Sequence, residues 1–213
     1  MNLANKITTF RIVMVGVIIL VMLFPYKFVG VETIPYVFGN VNVVYFVALI
    51  LFLIAAISDA IDGHIARKYD MITDLGKFLD PIADKLLVNI LLVILLVPDL
   101  ILPGVSDQMK MPILPVVIMI GRDLIVDGLR LVAANKNKVL AANVGGKIKT
   151  ILQMIAIPLV LLNNWPFSLI IASETFNFAS LFVYLAALAS LISGIVYLVQ
   201  NYHILKEEVP HEG

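Results

Sequence analysis

Four carboxylates lie close together in the first half of this chain. One apolar stretch ends in Asp59-Ala60-Ile61-Asp62-Gly63-His64-Ile65-Ala66-Arg67, and the next begins Gly76-Lys77-Phe78-Leu79-Asp80-Pro81-Ile82-Ala83-Asp84. Residues three or four apart share one face of a helix, so Asp59 with Asp62, and Asp80 with Asp84, point together from their own helices. Consecutive helices can bring the two pairs to one place. An aspartate near the centre of a membrane helix disfavours insertion by about 2.5–3.5 kcal/mol, so four are tolerated only at the aqueous boundary, in a polar cavity or beside cations. Oxygen ligands without Cys or His suit a hard divalent ion, Mg2+ or Mn2+. Four carboxylates could hold two such ions about 4 Å apart, an arrangement suited to phosphoryl chemistry. The bland alternative, solvated charges at helix ends, is as good for any single aspartate and much weaker for the set. Asp70 and Asp74 repeat the spacing but fall in the expected turn, and read as solvated or capping residues. His64 reads as an interfacial residue rather than a ligand.

The elements that must position these residues are membrane helices. Of the 213 residues, 61% are hydrophobic and 14% charged, with a mean hydropathy of +1.02, whereas soluble domains carry roughly 25% charged residues. Six stretches approach the roughly 20 residues that a helix needs to span a bilayer: about 7–29, 41–61, 81–102, 112–134, 147–163 and 176–201. The expected fold is therefore all-α, one membrane domain over residues 1–213 with six transmembrane helices. The first stretch has no small-residue cleavage site after it and reads as a retained helix. Most prolines fall between or at the ends of spans; Pro115 and Pro158 fall inside and are candidate kinks. Cysteine is absent, which removes disulfides and thiolate metal sites. Tyr26 and Trp165 read as members of an outer aromatic belt.

Charge placement orients the helices. If the N-terminus is cytoplasmic, 13 of the 15 Lys and Arg lie on that side and only Lys27 and Lys110 on the other. The positive-inside rule then puts both termini in the cytoplasm. Eleven of the 15 acidic residues lie on the same side. Acids contribute little to topology, so their clustering there points to function.

Written as a pattern, the two segments spell DxxDGxxAR, eight residues, then GxxxDxxxD, and here the sequence resembles the CDP-alcohol phosphatidyltransferase family at every motif position. The resemblance implies a six-helix membrane enzyme in which Asp59, Asp62, Asp80 and Asp84 hold two divalent ions, Mg2+ or Mn2+, with Asp84 also the candidate general base. It implies that Asp62, Gly63, Ala66, Arg67 and Gly76 border the cytidine diphosphate of CDP-diacylglycerol. Small residues leave room for a nucleotide against backbone and arginine pairs with phosphate oxygens, which makes these roles reasonable. Close helix packing explains the two glycines equally well. The implied reaction is attack by an alcohol hydroxyl on the phosphorus attached to the lipid, with CMP leaving.

The acceptor must be read outside the motif. Arg122, Arg130, Lys147 and Lys149 sit where the fourth and fifth stretches meet the cytoplasm, and residues eight apart, as Arg122 and Arg130 are, fall on one helical face. Together they suit a phosphorylated alcohol, although anchoring to anionic lipid explains any one of them about as well. The segments Gly121-Arg122-Asp123 to Asp127-Gly128-Leu129-Arg130, Gly146-Lys147-Ile148-Lys149-Thr150, and the opening Asn5-Lys6-Ile7-Thr8-Thr9-Phe10-Arg11 look like those of bacterial phosphatidylglycerophosphate synthases. That likeness adds Asn5 and Thr8 to the expected CDP-diacylglycerol contacts and makes sn-glycerol 3-phosphate the expected acceptor. It also implies a homodimer in the bacterial cytoplasmic membrane, with its active site facing the cytoplasm and no nucleic-acid partner. The subfamily pattern calls for glutamate at Asp123 and a small neutral residue at Asp127, so the chain departs from it twice. Rival readings are a sister enzyme using phosphatidylglycerol, serine or inositol phosphate, an intramembrane prenyltransferase, and a cation transporter. The prenyltransferase calls for a second motif copy and the transporter for an inverted repeat, and neither is evident.

Overall fold

The computed structural model describes residues 3–69, 74–98, 102–103, 110–136, 138, 140–141, 144–169 and 177–205; of these, the side chains of 3–6, 60–69, 74–78, 80–81, 169 and 205 lie outside the description. The described residues are mostly helical. Six long helices run in chain order: α1 Leu3–Met22, α2 Val43–Tyr69, α3 Asp74–Ile94, α4 Ile113–Asn135, α5 Val144–Leu161 and α6 Phe178–Asn201. Each overlaps one of the six apolar stretches. By length and composition Val144–Leu161 and Phe178–Ile204 can cross a membrane, and shorter apolar helices occupy Ile7–Met22 and Val43–Asp59.

Several boundaries differ from the sequence expectation: α1 ends at Met22 rather than near 29 and α3 at Ile94 rather than near 102, and two further differences bear on the motif. The second stretch was expected to end near residue 61, but α2 continues to Tyr69, and α3 begins at Asp74 rather than near 81. Both halves of the aspartate motif therefore lie wholly on helices, and the connection between them is short. Good helix formers such as Ala66, Arg67, Lys68, Lys77 and Leu79 carry the helices past Gly63 and Gly76, and α3 also continues through Pro81, which lacks the N–H for one helical bond. Pro115 lies in the first turn of α4, where its missing N–H breaks no helical bond, while Pro158 is internal to α5. After α5 the chain turns through Asn163 and Asn164, both at positive φ, a conformation Asn adopts more readily than most residues.

The chain divides into two compact units, residues 1–111 with 157–179, and residues 112–156 with 180–213. In the first, α1 packs on α2 and α3. The buried positions of α1 are Thr8, Arg11, Val15, Ile18 and Met22, alternately three and four residues apart, the spacing of a helix with a single inward seam. On α2, Ala48, Phe52 and Ala55 continue such a seam, and Val88 and Leu91 of α3, with Leu95 just past its end, do the same. At the start of α2 a two-stranded hairpin, Tyr36–Phe38 with Val41–Asn42, turns at Gly39 (φ 50°). Phe38 packs on Trp165 with ring centroids 4.8 Å apart, and Asn163 donates a 3.2 Å hydrogen bond to the Asn40 carbonyl. In the second unit Val126, Leu129 and Ala133 of α4 pack with Tyr197 of α6 and Ile204 beyond it.

Candidate active site

Three seams of the first unit end in charge. Asp59 lies four residues beyond Ala55 on α2, Asp84 four residues before Val88 on α3, and Arg11 is itself part of the α1 seam. The continuation of each apolar stripe thus carries one ionic group toward the same point. Arg11 is 1% exposed; its Nη1 donates a 2.6 Å hydrogen bond to Asp84 Oδ1, and its Nη2 lies 2.5 Å from Asp59 Oδ1. The Asp59 contact is close without hydrogen-bond alignment, and Arg11 Nε meets no acceptor among the described residues. The two carboxylates are 45% and 53% exposed. One buried guanidinium therefore backs two accessible carboxylates from different helices.

That convergence is what a hard divalent cation needs: ionised oxygen donors from two elements, held close and open on one side. Asp62 and Asp80 lie on the backbones of α2 and α3, three residues after Asp59 and four before Asp84, but their side chains are outside the described residues. The side chains of Asn5, Gly63, Ala66, Arg67 and Gly76 are outside as well. No group of three or more His, Asp or Glu gathers among the described residues. The two described carboxylates fit a hard divalent ion. Thr8, one turn before Arg11, is completely buried on the same seam.

The sequence reading left Arg11 out of the site. Its signal was the three-and-four spacing with Thr8, Val15, Ile18 and Met22, which puts a charge on an apolar seam. A buried arginine there needs carboxylates, and the sequence offers them on the next two helices.

The second unit holds the four cations proposed for a phosphate, and it treats them differently. Lys149 is buried and donates a 2.5 Å hydrogen bond to Asp123 Oδ2, while Arg122 Nη1 donates one of 3.1 Å to Asp123 Oδ1. Asp123 falls on the buried stripe of α4 with Val116, Met119 and Val126, so its carboxylate is fixed between two cations. Arg122 lies along Gly194 of α6: a Cβ added at Gly194 would stand 2.7 Å from Arg122 Cγ. Arg130 donates through Nε to Tyr197 Oη at 3.2 Å, with its guanidinium carbon 5.5 Å from the centre of that ring. Gly194 and Tyr197 are three residues apart, so the two arginines do share a face, the one toward α6. The lysines do not share one. Lys147 is exposed and Lys149 buried, as a two-residue step around a helix requires. Asp123, a departure from the subfamily pattern, is thus the residue that organises the cluster.

The family model for CDP-alcohol phosphatidyltransferase matches residues 1–200. Over 209 residues the chain is 41% identical to the CDP-diacylglycerol–glycerol-3-phosphate 3-phosphatidyltransferase of Bacillus subtilis (strain 168), covering 96% of this chain and 97% of that protein. The protein of the same name from Rickettsia felis is 31% identical over 196 residues, covering 92% and 93%. A third, from Mycoplasma genitalium, is 39% identical over 165 residues, 73% of this chain and 64% of its own.

Proposed function

The chain belongs to the CDP-alcohol phosphatidyltransferase family, and from that premise we propose that it transfers the phosphatidyl group of CDP-diacylglycerol to sn-glycerol 3-phosphate, giving phosphatidylglycerophosphate and CMP. The acceptor follows the activity for which relatives matching nearly the whole chain are named. The mechanism is carried by one observation, the convergence of Asp59 and Asp84 from separate helices.

In this reading Asp59, Asp62, Asp80 and Asp84 hold Mg2+ or Mn2+. When bound, the metal supplies positive charge for the diphosphate and for the departing CMP. Asp62, Gly63, Ala66, Arg67, Gly76, Asn5 and Thr8 are the proposed contacts of CDP-diacylglycerol. Asp84 accepts the proton of the attacking glycerol hydroxyl as its oxygen bonds to the lipid-bearing phosphorus and the bond to the CMP oxygen breaks. Arg122, Arg130, Lys147 and Lys149 are the cations for the acceptor's phosphate. Arg122 and Arg130 present a fork suited to phosphate oxygens, and Asp123 holds Arg122 and Lys149 in place.

A six-span topology with both termini cytoplasmic belongs to the same proposal. Along α2, Asp59 lies about 24 Å from the hairpin end at Val43 by the helical rise, most of the roughly 30 Å thickness of a hydrocarbon core. Such a span leaves the hairpin near one face and the carboxylates near the other.

The test is an assay of the purified protein in detergent with CDP-diacylglycerol, labelled glycerol 3-phosphate and Mn2+ or Mg2+. Metal-dependent labelled lipid and CMP are expected, undiminished by serine or inositol phosphate. In sealed right-side-out vesicles, external glycerol 3-phosphate is expected to give no product. CMP release only with another alcohol would discard the acceptor, and none with any alcohol would sink the transferase reading.

Gly194 supplies a more local test. Gly194→Ala places a methyl group against the Arg122 stem close to its root, so the whole side chain must move. Losing one hydrogen bond between charged groups, about 1.5–3 kcal/mol, corresponds to a rise of about tenfold or more in KM for glycerol 3-phosphate. The KM for CDP-diacylglycerol should change little, and an unchanged acceptor KM would remove Arg122 from the phosphate site.

A further inference from the structure

We propose that Arg11 is a positioning residue for the metal site: from the protein interior it holds Asp59 and Asp84 in the orientation in which they receive a divalent ion from their exposed side. The inference rests on the reading of those two aspartates as ligands. It adds to that reading a residue outside the aspartate motif and on a third helix.

The geometry favours support over competition. Arg11 lies on the buried seam of α1, 1% exposed, while the carboxylates it touches are about half exposed. The guanidinium and an approaching ion therefore meet the carboxylates from different directions. Arg11 engages one oxygen, Oδ1, of each aspartate, and an ionised carboxylate has two oxygens with about four lone-pair sites. A buried guanidinium also has a strong reason to stay. Withdrawn from both carboxylates, it would be an unpaired charge among Val15, Ile18 and their neighbours, whereas its planar fork can span two separate acceptors at once. Without it, two like charges from adjacent helices would lose the one cation that touches both. Groups that orient metal ligands from behind typically contribute 10–100-fold to metal affinity.

The experiment measures Mn2+ binding to the detergent-purified protein without substrate, by the loss of the free-ion paramagnetic resonance signal. It compares the unsubstituted chain with Arg11→Gln and Arg11→Lys, and each sample's thermal unfolding is recorded. Arg11→Gln is expected to weaken Mn2+ binding about 10–100-fold. Arg11→Lys keeps the buried charge but loses the fork, and is expected to unfold near the unsubstituted temperature while losing about tenfold in Mn2+ affinity. Should Arg11→Gln not survive extraction, the lysine variant decides alone. A purely structural arginine would lower the unfolding temperature and leave Mn2+ affinity of the folded protein unchanged, which would overturn the proposal. Tighter Mn2+ binding in either variant would overturn it too, by making Arg11 a competitor of the ion. If the unsubstituted chain itself binds no Mn2+, the ligand reading of the aspartates fails and the role of Arg11 falls with it.

Discussion

Asp84→Asn is expected to lower CMP release from CDP-diacylglycerol by about 10²–10⁴-fold, the range for removing a positioned proton acceptor. The substitution keeps the size of the side chain and removes its charge and basicity. It also leaves Arg11 with Asp59 as its one remaining partner of the described pair. Asp59→Asn is the control, because it costs a ligand and an Arg11 partner but not the proposed base. Activity of Asp59→Asn should recover partly as Mn2+ is raised, while that of Asp84→Asn should not. Equal recovery of both would make Asp84 a ligand without a role in proton transfer. Unfolding temperature, measured alongside, separates either result from loss of the fold, since each variant removes a carboxylate that faces the buried Arg11.

The sequence was most informative where spacing alone decides geometry. Four aspartates at three- and four-residue intervals, on two successive apolar stretches, required two helices with matched faces, and α2 and α3 carry them. It was misleading where polarity was taken for the end of a helix. Residues 62–69 and 74–80 are polar enough to resemble a loop, yet their backbones are helical, because helix continuation depends on propensity and hydrogen bonding rather than on apolarity. The hairpin at 36–42 left little trace, since two very short strands carry no usable alternation and are held by tertiary contacts with Trp165 and Asn163. Arg11 was legible in principle. Its place on the α1 seam follows from spacing, but its partners are 48 and 73 positions away, and no local pattern joins them. Asp123 is a similar case: it was noted as a departure from a pattern, while its contact with Lys149 is set by the packing of α4 against α5.

Lys149→Met tests that contact and is expected to have the second large effect. Asp123 and Lys149 are both buried, and removing one member of a buried ion pair typically costs about 3–5 kcal/mol because the other charge is left behind. Arg122, still donating to Asp123, places the expected loss toward the lower end of that range. The unfolding temperature in detergent should fall accordingly. Fold and function can then be separated by a second change. Asp123→Leu combined with Lys149→Met removes both charges and fills the space with apolar groups, which for buried pairs is often neutral or stabilising. The double variant is therefore expected to regain most of the lost stability. It should not regain glycerol 3-phosphate binding, because Lys149 is gone and Arg122 has lost the carboxylate that fixes its fork. A double variant that recovers both would reduce the Asp123–Lys149 pair to a packing device and leave acceptor recognition to Arg130 and Lys147. One that recovers stability alone would show the buried lysine acting on the acceptor, through its charge or through the orientation of Arg122. Adding Asp123→Leu alone distinguishes those two: it retains Lys149 and frees Arg122, so an acceptor KM as poor as that of the double variant assigns the effect to orientation.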